Sequence, residues 1–377
     1  MEKTTHDSLL YTVALSLIPK IGPGIYKNII SYSGSAKQFF ALSKGKIQKI
    51  PGVGTKLSEV LHAKDTYLKE ASQILDEAHR NGVQVISYLD KEFPQRLKSF
   101  SDSPVLLFSR GEVNLNPART IGIVGTRNAT AYGKAVTAKI VEDLAEYKPT
   151  IISGLAYGID IEAHRSALQA NLPTLGILGT PINKIYPAHH FQIAQTMMKS
   201  GGLVSEYRIG STLNPNNFPQ RNRIIAGLSD ALIVVEAAKK GGALITAEIA
   251  YSYNKEVFAV PGNLQSSYSE GCNNLIRTMK AGIYMGPKEI EEALSWEKEG
   301  SELTKKAVLI DWDQFDEVEK SIMQMLVQER ELEIDQLSWK TNIPLSTLAS
   351  KLLSLEFQGF LKALPGKKFQ LIGSSKK

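Results

Sequence analysis

Two arginines flank an asparagine in the run Arg221-Asn222-Arg223, and apolar residues typical of a buried helix follow it. Guanidinium groups at the start of a helix, together with the free N–H groups of its first turn, are suited to bind phosphate oxygens. The spacing therefore predicts an anion site. The alternative is a pair of arginines held in salt bridges on a surface loop, which is a common state of this residue type.

Glycine, serine, threonine and arginine recur at the ends of several strand-like runs. Gly125-Thr126-Arg127 follows one such run, Ser205-Glu206-Tyr207 follows a second, and Lys240-Gly241-Gly242 follows a third. Small residues let backbone amides approach a phosphate, and hydroxyl groups donate to it. These loops predict that the anion site is shared by several strand ends.

Short apolar runs alternate with helix-length intervals through the middle of the chain. We predict strands at 83–87, 105–108, 120–125, 151–153, 174–178, 203–205, 231–235, 257–260 and 282–285. The alternation indicates a doubly wound, mainly parallel sheet of the α/β class, which binds ligands at the carboxyl ends of its strands. The spacing of Gly122 and Gly125 does not fit G-x-G-x-x-G, and no P-loop motif is present, which argues against a dinucleotide-binding fold or a P-loop ATPase.

The composition narrows the class of protein. With 377 residues the chain has room for two or three domains, and a single cysteine, Cys272, excludes an internal disulfide framework and a cysteine-rich zinc site. We expect no metal and no cofactor. The net charge of +6 and a pI near 9.0 favour anionic partners. Without a secretory signal or a long apolar run, we expect a cytoplasmic location and no membrane partner.

Residues 1–80 are predicted to form a helical module with two glycine turns. The runs at 18–30 (IPKIGPGIYKNII) and 47–61 (IQKIPGVGTKLSEVL) each indicate helix, turn and helix. Their spacing resembles the tandem helix-hairpin-helix (SAM-like) motif, whose turn holds a nucleic-acid phosphate. Pro23 removes one donor from the first turn, and the alternative is that both hairpins serve only packing.

The end of the chain is predicted to form a small separate module. We place the Rossmann-like domain at 81–296, a charged linker at 297–312 and a winged helix at 313–373, with helices at 315–327, 334–339 and 345–357 and a hairpin at 360–371. Residues 313–372 contain 9 acidic and 7 basic residues, a net charge of −2. We therefore expect this module to contact protein, or DNA only through Lys362, Lys367 and Lys368 at the wing.

A series of motifs between residues 105 and 285 resembles one protein family. The motifs are GTRNATAYG, SGLAYGIDIEAH, IYP, SEY, FPQRNRIIAGLS, VVEA, GGALITA and VPGN before SEGCNNLI. In these motifs the chain is similar to the DprA/Smf family, the DNA-processing proteins of natural transformation. The resemblance implies an extended Rossmann-like domain that binds single-stranded DNA without sequence preference, loads the RecA recombinase on that strand and forms a homodimer. It implies a binding protein rather than an enzyme.

The resemblance also implies which residues contact DNA. It points first to Arg127, to Arg221 and Arg223, and to the turn Gly241-Gly242. The further candidates are Gly125, Lys134, Ser205, Phe218, Asn222 and Lys240. Phe218 or Tyr207 could stack a base, although a core position is the alternative for Phe218.

Two enzymatic interpretations compete with DNA binding. Asp160 and His164 lie four residues apart on one helix face, but without a nucleophile or third ligand we favour a structural role for both. The run at 240–248 (KGGALITAE) loosely resembles the turn of lysine-decarboxylase-like phosphoribohydrolases, in which Glu248 would polarise a ribose; the proline and third glycine of that turn are missing. A packing scaffold without a ligand would not explain why glycine and arginine gather at strand ends.

Overall fold

The computed structural model describes residues 2–53, 63–296, 312, 315–329, 331–364 and 368–371. The chain divides into two compact units, Met1–Trp296 and Glu297–Lys377, which are described separately. Across the described ranges, no group of three or more His, Cys, Asp or Glu side chains is placed to hold a metal ion. A search of the same ranges finds no helix with the length and apolar character needed to cross a membrane.

Nine strands form one sheet in the first unit. They are β1 (Gln84–Ser87), β2 (Leu106–Gly111), β3 (Thr120–Val124), β4 (Thr150–Ser153), β5 (Thr174–Leu178), β6 (Gly202–Ser205), β7 (Ala231–Val234), β8 (Glu256–Ala259) and β9 (Gly282–Ile283). Their spatial order is β1-β2-β6-β5-β4-β3-β7-β8-β9. All neighbours from β6 to β9 in that order are parallel, whereas β2 is antiparallel to both β1 and β6. The predicted doubly wound, mainly parallel sheet is confirmed.

Helices cover both faces of this sheet. They are α7 (Ala131–Leu144), α8 (Ile159–Gln169), α9 (Phe191–Met197), α10 (Asn217–Leu228), α11 (Gly242–Ser252), α12 (Glu270–Arg277) and α13 (Lys288–Leu294). Along β7, Leu232 and Val234 join a core with α10, α11 and α12, whereas Ala231 and Ile233 join the core with α7, α8 and α13. The strand is thus buried on both faces, as its continuous apolar run requires.

The chain reverses its direction of winding between β3 and β7. From β3 it proceeds through β4 and β5 to β6 on one side, then crosses to β7 and continues through β8 to β9 on the other. A crevice opens at such a switch point, because the loops after the two central strands turn to opposite faces of the sheet. The loops that follow β3 and β7 are therefore the ones that shape a ligand site.

The N-terminal helices share a core with one side of the sheet. They are α1 (Glu2–Leu17), α2 (Pro23–Ser33), α3 (Ala36–Phe39), α4 (Lys44–Ile47) and α5 (Lys64–Arg80). A short helix between β1 and β2, α6 (Gln95–Lys98), instead contributes Leu97 to the core that contains Leu232 and Val234 of β7. Val13, Ile29 and Ile74 lie in the same apolar cluster as Phe108 and Leu203 of β2 and β6. Gly22 caps α2 in the first predicted hairpin. In the second predicted hairpin, Gly54 and the predicted helix up to residue 61 lie outside the described residues.

The described residues of the second unit form three helices and a small sheet. The helices are α14 (Glu317–Glu329), α15 (Ile334–Thr341) and α16 (Leu345–Phe357), and the strands are β10 (Glu331–Glu333), β11 (Leu361–Leu364) and β12 (Lys368–Leu371) in the order β10-β12-β11. Leu326, Leu337 and Leu352 are fully buried in its core. The structure adds β10, which the sequence did not predict. Residues 365–367 of the predicted hairpin and most of the 297–312 linker lie outside the described residues.

Candidate nucleic-acid interface

A cavity of about 310 Å³ opens at the switch point between β3 and β7. Its walls come from the loop after β3, the loop after β7, the start of α8, the first turns of α10 and the start of α11. Its lining includes the charged and polar residues Arg127, Asp160, Arg221, Asn222 and Lys240 and the turn Gly241-Gly242. Phe218 and Gly125 also line the cavity. Most of the predicted site residues therefore meet in one place.

The start of α11 forms one wall of the cavity. Gly241 at the N-cap has no side chain, so the first N–H groups of α11 receive no capping acceptor from that position. A Cβ atom on Gly241 would meet nothing within 4 Å, which means that packing does not demand glycine there. The missing side chain instead leaves the helix start open to a ligand. Asn222 supports the turn by donating from Nδ2 to the Gly242 carbonyl oxygen at 3.2 Å.

Arg221 forms the floor of the cavity and is buried. Its Nη1 donates to the Ile177 carbonyl oxygen at 2.5 Å, while its buried Nε has no hydrogen-bond partner among the residues that the structure describes. Burial lowers the pKa of this guanidinium, and the facing Asp160 opposes that shift. A buried cation with an unsatisfied donor is unfavourable unless a ligand or a nearby anion compensates for it.

Asp160 is the one acidic side chain among the residues that line this cavity. Burial raises the pKa of its carboxyl group, whereas Arg221 and the Ala156 backbone amide lower it. Gly154 lies between the two side chains, and a Cβ atom there would collide with both Arg221 and Asp160. The sequence therefore needs glycine at this position for the two charges to face each other.

His164 does not contribute to the cavity. It is fully buried, its Nδ1 lies 2.7 Å from the Thr174 hydroxyl, and its Nε2 lies 2.5 Å from the Gly154 carbonyl oxygen. Burial lowers its pKa to about 4. These contacts tie α8 to β4 and β5, which favours the structural interpretation of His164.

Arg127 and Lys240 supply exposed positive charge at the cavity. Arg127 follows β3 and Lys240 follows β7, and neither has an ion pair with any described residue. The neighbouring Lys239, by contrast, pairs with Glu270 at 3.6 Å. Unpaired cations beside an open helix start form an environment suited to phosphate.

Three predicted site residues do not reach the cavity. Arg223 lies two positions after Arg221 and so points to another side of α10, where it pairs with Glu206 at 2.5 Å. Ser205 is buried, and its hydroxyl donates to the Thr180 carbonyl oxygen. Lys134 is exposed on the first turn of α7 and does not line the cavity. Tyr207, a proposed stacking residue, does not line it either.

Sequence reasoning missed other lining residues. The sequence favoured a structural role for Asp160 and did not indicate Thr246, although both line the cavity beside Thr126. Tyr157 and Tyr186 line a second, adjoining cavity. Each tyrosine lies in a motif quoted above, SGLAYGIDIEAH or IYP, so the available signal was an aromatic residue in a strand-end loop.

The fold and the cavity together place the chain in the class of Rossmann-like α/β proteins with a crevice at the switch point of the sheet. The family DNA recombination-mediator protein A matches residues 84–295, and the chain belongs to that family. The DprA winged helix domain matches residues 314–367, which confirms the predicted C-terminal winged helix.

Individual proteins agree with this assignment. The chain is 36% identical to Protein Smf of Escherichia coli (strain K12) over 281 residues, 74% of this chain and 75% of that protein. It is 38% identical to DNA processing protein DprA of Bacillus subtilis (strain 168) over 229 residues, 60% of this chain and 77% of that protein. The suspected DprA/Smf relationship is confirmed.

Solved structures of the family share the fold. DNA processing protein A from Streptococcus pneumoniae superposes with a TM-score of 0.63 at 29% identity, covering 76% of this chain and 96% of that one. DNA processing protein A from Helicobacter pylori superposes with a TM-score of 0.52 at 27% identity, covering 57% of this chain and 97% of that one. The structure of that protein gives insight into its single-stranded DNA binding mode.

Proposed function

We propose that this chain binds single-stranded DNA without sequence preference, through the cavity at the switch point of the sheet. The observation that carries the proposal is the meeting of Arg127, Lys240, the buried Arg221 and the open start of α11 around one cavity. Backbone amides and guanidinium groups hold phosphates, which every nucleotide carries, so the site has little means to read a base. The single-stranded DNA binding of the Helicobacter pylori relative supports the same ligand.

The wider role that we propose is that of a recombination mediator. In this role the chain loads the RecA recombinase on the bound strand, acts as a homodimer in the cytoplasm and catalyses no reaction. Its membership in the family DNA recombination-mediator protein A supports this role. Whether the N-terminal hairpins also hold DNA stays a prediction, because the second hairpin turn lies partly outside the described residues.

The phosphoribohydrolase alternative finds no support in the geometry. Its acid would be Glu248, which is exposed on α11 and pairs with Lys280 at 2.7 Å. Glu248 does not line the cavity. A general acid or base must lie within hydrogen-bonding reach of its substrate, so a ligand in the cavity would not meet this carboxylate.

A titration against salt tests the proposed function. Labelled oligothymidine and a duplex of equal length are titrated with the full chain from about 0.05 to 0.3 M salt, and binding is followed by fluorescence anisotropy. We expect tighter binding of the single strand, with log K falling by ~0.7 per phosphate held for each decade of salt. Equal affinity for the duplex, or no binding of the single strand at about 0.1 M salt, would overturn the proposal.

A further inference from the structure

A second, narrower cavity of about 40 Å³ adjoins the first. The two cavities share the lining residues Arg127, Ala156, Phe218 and Arg221. The remaining wall of the narrower cavity is largely apolar and contains Tyr157, Tyr186, Leu178 and Pro187. We call the three rings Tyr157, Tyr186 and Phe218 the aromatic ledge.

The surrounding structure holds the rings of the aromatic ledge in place. The ring centroids of Tyr186 and Phe218 are 5.5 Å apart. Tyr157 packs edge-on against His190 at 4.9 Å, and His190 Nδ1 lies 2.8 Å from the Leu155 carbonyl oxygen. Gly179, at the end of β5, allows the Phe218 ring to approach, because a Cβ atom there would lie 2.8 Å from its Cδ1. Little rotational freedom would be lost when a ligand covers these rings.

Both tyrosines nevertheless leave much of their surface in water. Tyr157 is 45% exposed and Tyr186 is 52% exposed. No described lysine or arginine lies over any ring of the aromatic ledge, although five such cation–ring contacts occur elsewhere in the described ranges. A fixed cluster of exposed aromatic rings beside a cavity is typical of a binding surface.

We propose that the aromatic ledge stacks bases of the single strand whose phosphates occupy the larger cavity. This inference rests on the proposed function and adds the surface that receives the bases. Arg127 lines both cavities, so a phosphate held by Arg127 lies where its own base can reach the aromatic ledge.

Stacking explains two properties that phosphate contacts alone do not. Every base has a flat π-face, so an aromatic surface adds affinity without reading sequence, by ~1–3 kcal/mol per base. The bases of a duplex are already stacked on each other and cannot lie on the ledge without being unstacked. The aromatic ledge would therefore favour a single strand over a duplex, whereas phosphate contacts are available in both.

The experiment compares alanine and phenylalanine at the two tyrosines in the full chain. Affinity for oligothymidine is measured for Tyr157→Ala, Tyr186→Ala, the double alanine variant and the matching phenylalanine variants. We expect each alanine variant to bind about fivefold or more weakly, and each phenylalanine variant to stay within twofold of the parent. The control is Tyr251→Ala on α11, which is 50% exposed and lines neither cavity; it should bind like the parent.

Two further readouts separate stacking from phosphate binding. The alanine variants should keep the salt slope of the parent, whereas Arg127→Ala should lower its magnitude by ~0.7. An oligomer with abasic sites in place of its bases should bind the parent more weakly, and the double alanine variant should show little of this difference.

The outcomes distinguish this inference from the function on which it rests. If the parent fails to bind any single strand, the proposed function fails and the aromatic ledge loses its ligand. If the parent binds but the double alanine variant binds within twofold of it, the inference alone is overturned. It is also overturned if removing the bases weakens the parent and the double variant equally, because the rings would then serve another partner, such as a protein.

Discussion

The cavity at the switch point and the winged-helix unit both carry basic residues, but they hold them differently. Arg127 and Lys240 at the cavity have no ion pair with a described residue. In the described part of the winged-helix unit, four of the five lysines are paired, and Lys362 is the exception. The paired lysines are Lys320, Lys340, Lys351 and Lys368. The number of basic residues therefore says less about DNA binding than their pairing does.

The third helix of the winged-helix unit shows the same contrast. Its one lysine, Lys351, contacts both Asp316 and Glu319. Its exposed face carries Leu353 and Phe357, which are 52% and 84% exposed. A helix that reads a duplex presents basic and amide groups to the major groove. This surface fits the expectation that the unit contacts protein, or touches DNA only at the wing.

The largest expected effect tests whether Arg221, the buried cation of the cavity, also stabilises the fold. Arg221→Ala leaves Asp160 buried without its facing charge, so the free energy of unfolding should fall by about 3 kcal/mol. Urea unfolding measures this, and Asp160→Asn should recover much of the loss in the Arg221→Ala background. Arg165→Ala, which removes an exposed pair with Glu162, should cost far less. If Arg221→Ala and Arg165→Ala lowered the free energy of unfolding equally, Arg221 would contribute no more to stability than an exposed arginine does.

The next effect is a difference in DNA affinity between charge reversal at the carboxyl end of the sheet and charge reversal at its amino end. Arg127→Glu should weaken single-strand binding roughly a hundredfold, because it removes one phosphate contact and repels others. Lys148→Glu makes the same charge change at an exposed position before β4, at the amino end of the sheet, and should weaken binding by less than about threefold. Anisotropy titrations at one salt concentration measure the single-strand affinity of both variants. Equal losses would mean that overall charge, and not the cavity, governs binding.

A smaller effect is a difference between the two units in how their stability depends on pH. Because the pKa of buried His164 falls to about 4, the unfolded chain binds more protons than the folded one as the pH drops below about 6.5. The stability of the first unit should therefore fall by ~2 kcal/mol between about pH 7.5 and pH 5. Burial also lowers the pKa of His190, which acts in the same direction.

Urea unfolding of the parent and of His164→Gln at both pH values measures this dependence. The variant should lose much of the pH dependence, whatever its absolute stability, while His189→Gln, at an exposed position, should keep it. The winged-helix unit contains no histidine and should not contribute. An unchanged pH dependence in His164→Gln would show that other groups cause it.

The smallest effect concerns the one unpaired lysine described in the winged-helix unit. Lys362→Glu should change affinity for oligothymidine by less than about twofold, whereas Lys240→Glu at the cavity should weaken it roughly fivefold. The same anisotropy titration measures both variants. If Lys362→Glu lost more affinity than Lys240→Glu, the winged-helix unit would contact DNA at least as strongly as the cavity does.

Much of the fold could be predicted from local pattern. Continuous apolar runs of strand length, separated by helix-length intervals, indicate a parallel sheet covered on both faces, and the strand at 174–178 has the predicted bounds. Local pattern does not indicate strand direction, so the antiparallel pairing of β2 was not predicted. It also did not reveal β10, whose Glu331–Glu333 run contains a single apolar residue.

The part of the candidate site that is formed by loops at strand ends could be predicted from the sequence. Gly241-Gly242, Arg127 and Arg221 meet because parallel strands bring such loops to one edge. The partners of a side chain come from distant parts of the chain, and sequence does not reveal them. For this reason the pairing of Arg223 with Glu206, the burial of Ser205 and the place of Asp160 beside Arg221 required the structure.

The core that the N-terminal helices share with β2 and β6 limits how this protein can be shortened. A fragment that starts at residue 81 would expose Leu106, Phe108 and Leu203 to water, because their apolar cluster is completed by the helices before them. It would also lose the ion pair of Arg208 with Glu70. Such a fragment should be prone to aggregation even though every residue of the cavity remains. Shortened forms of the protein for DNA-binding studies should therefore keep the first eighty residues.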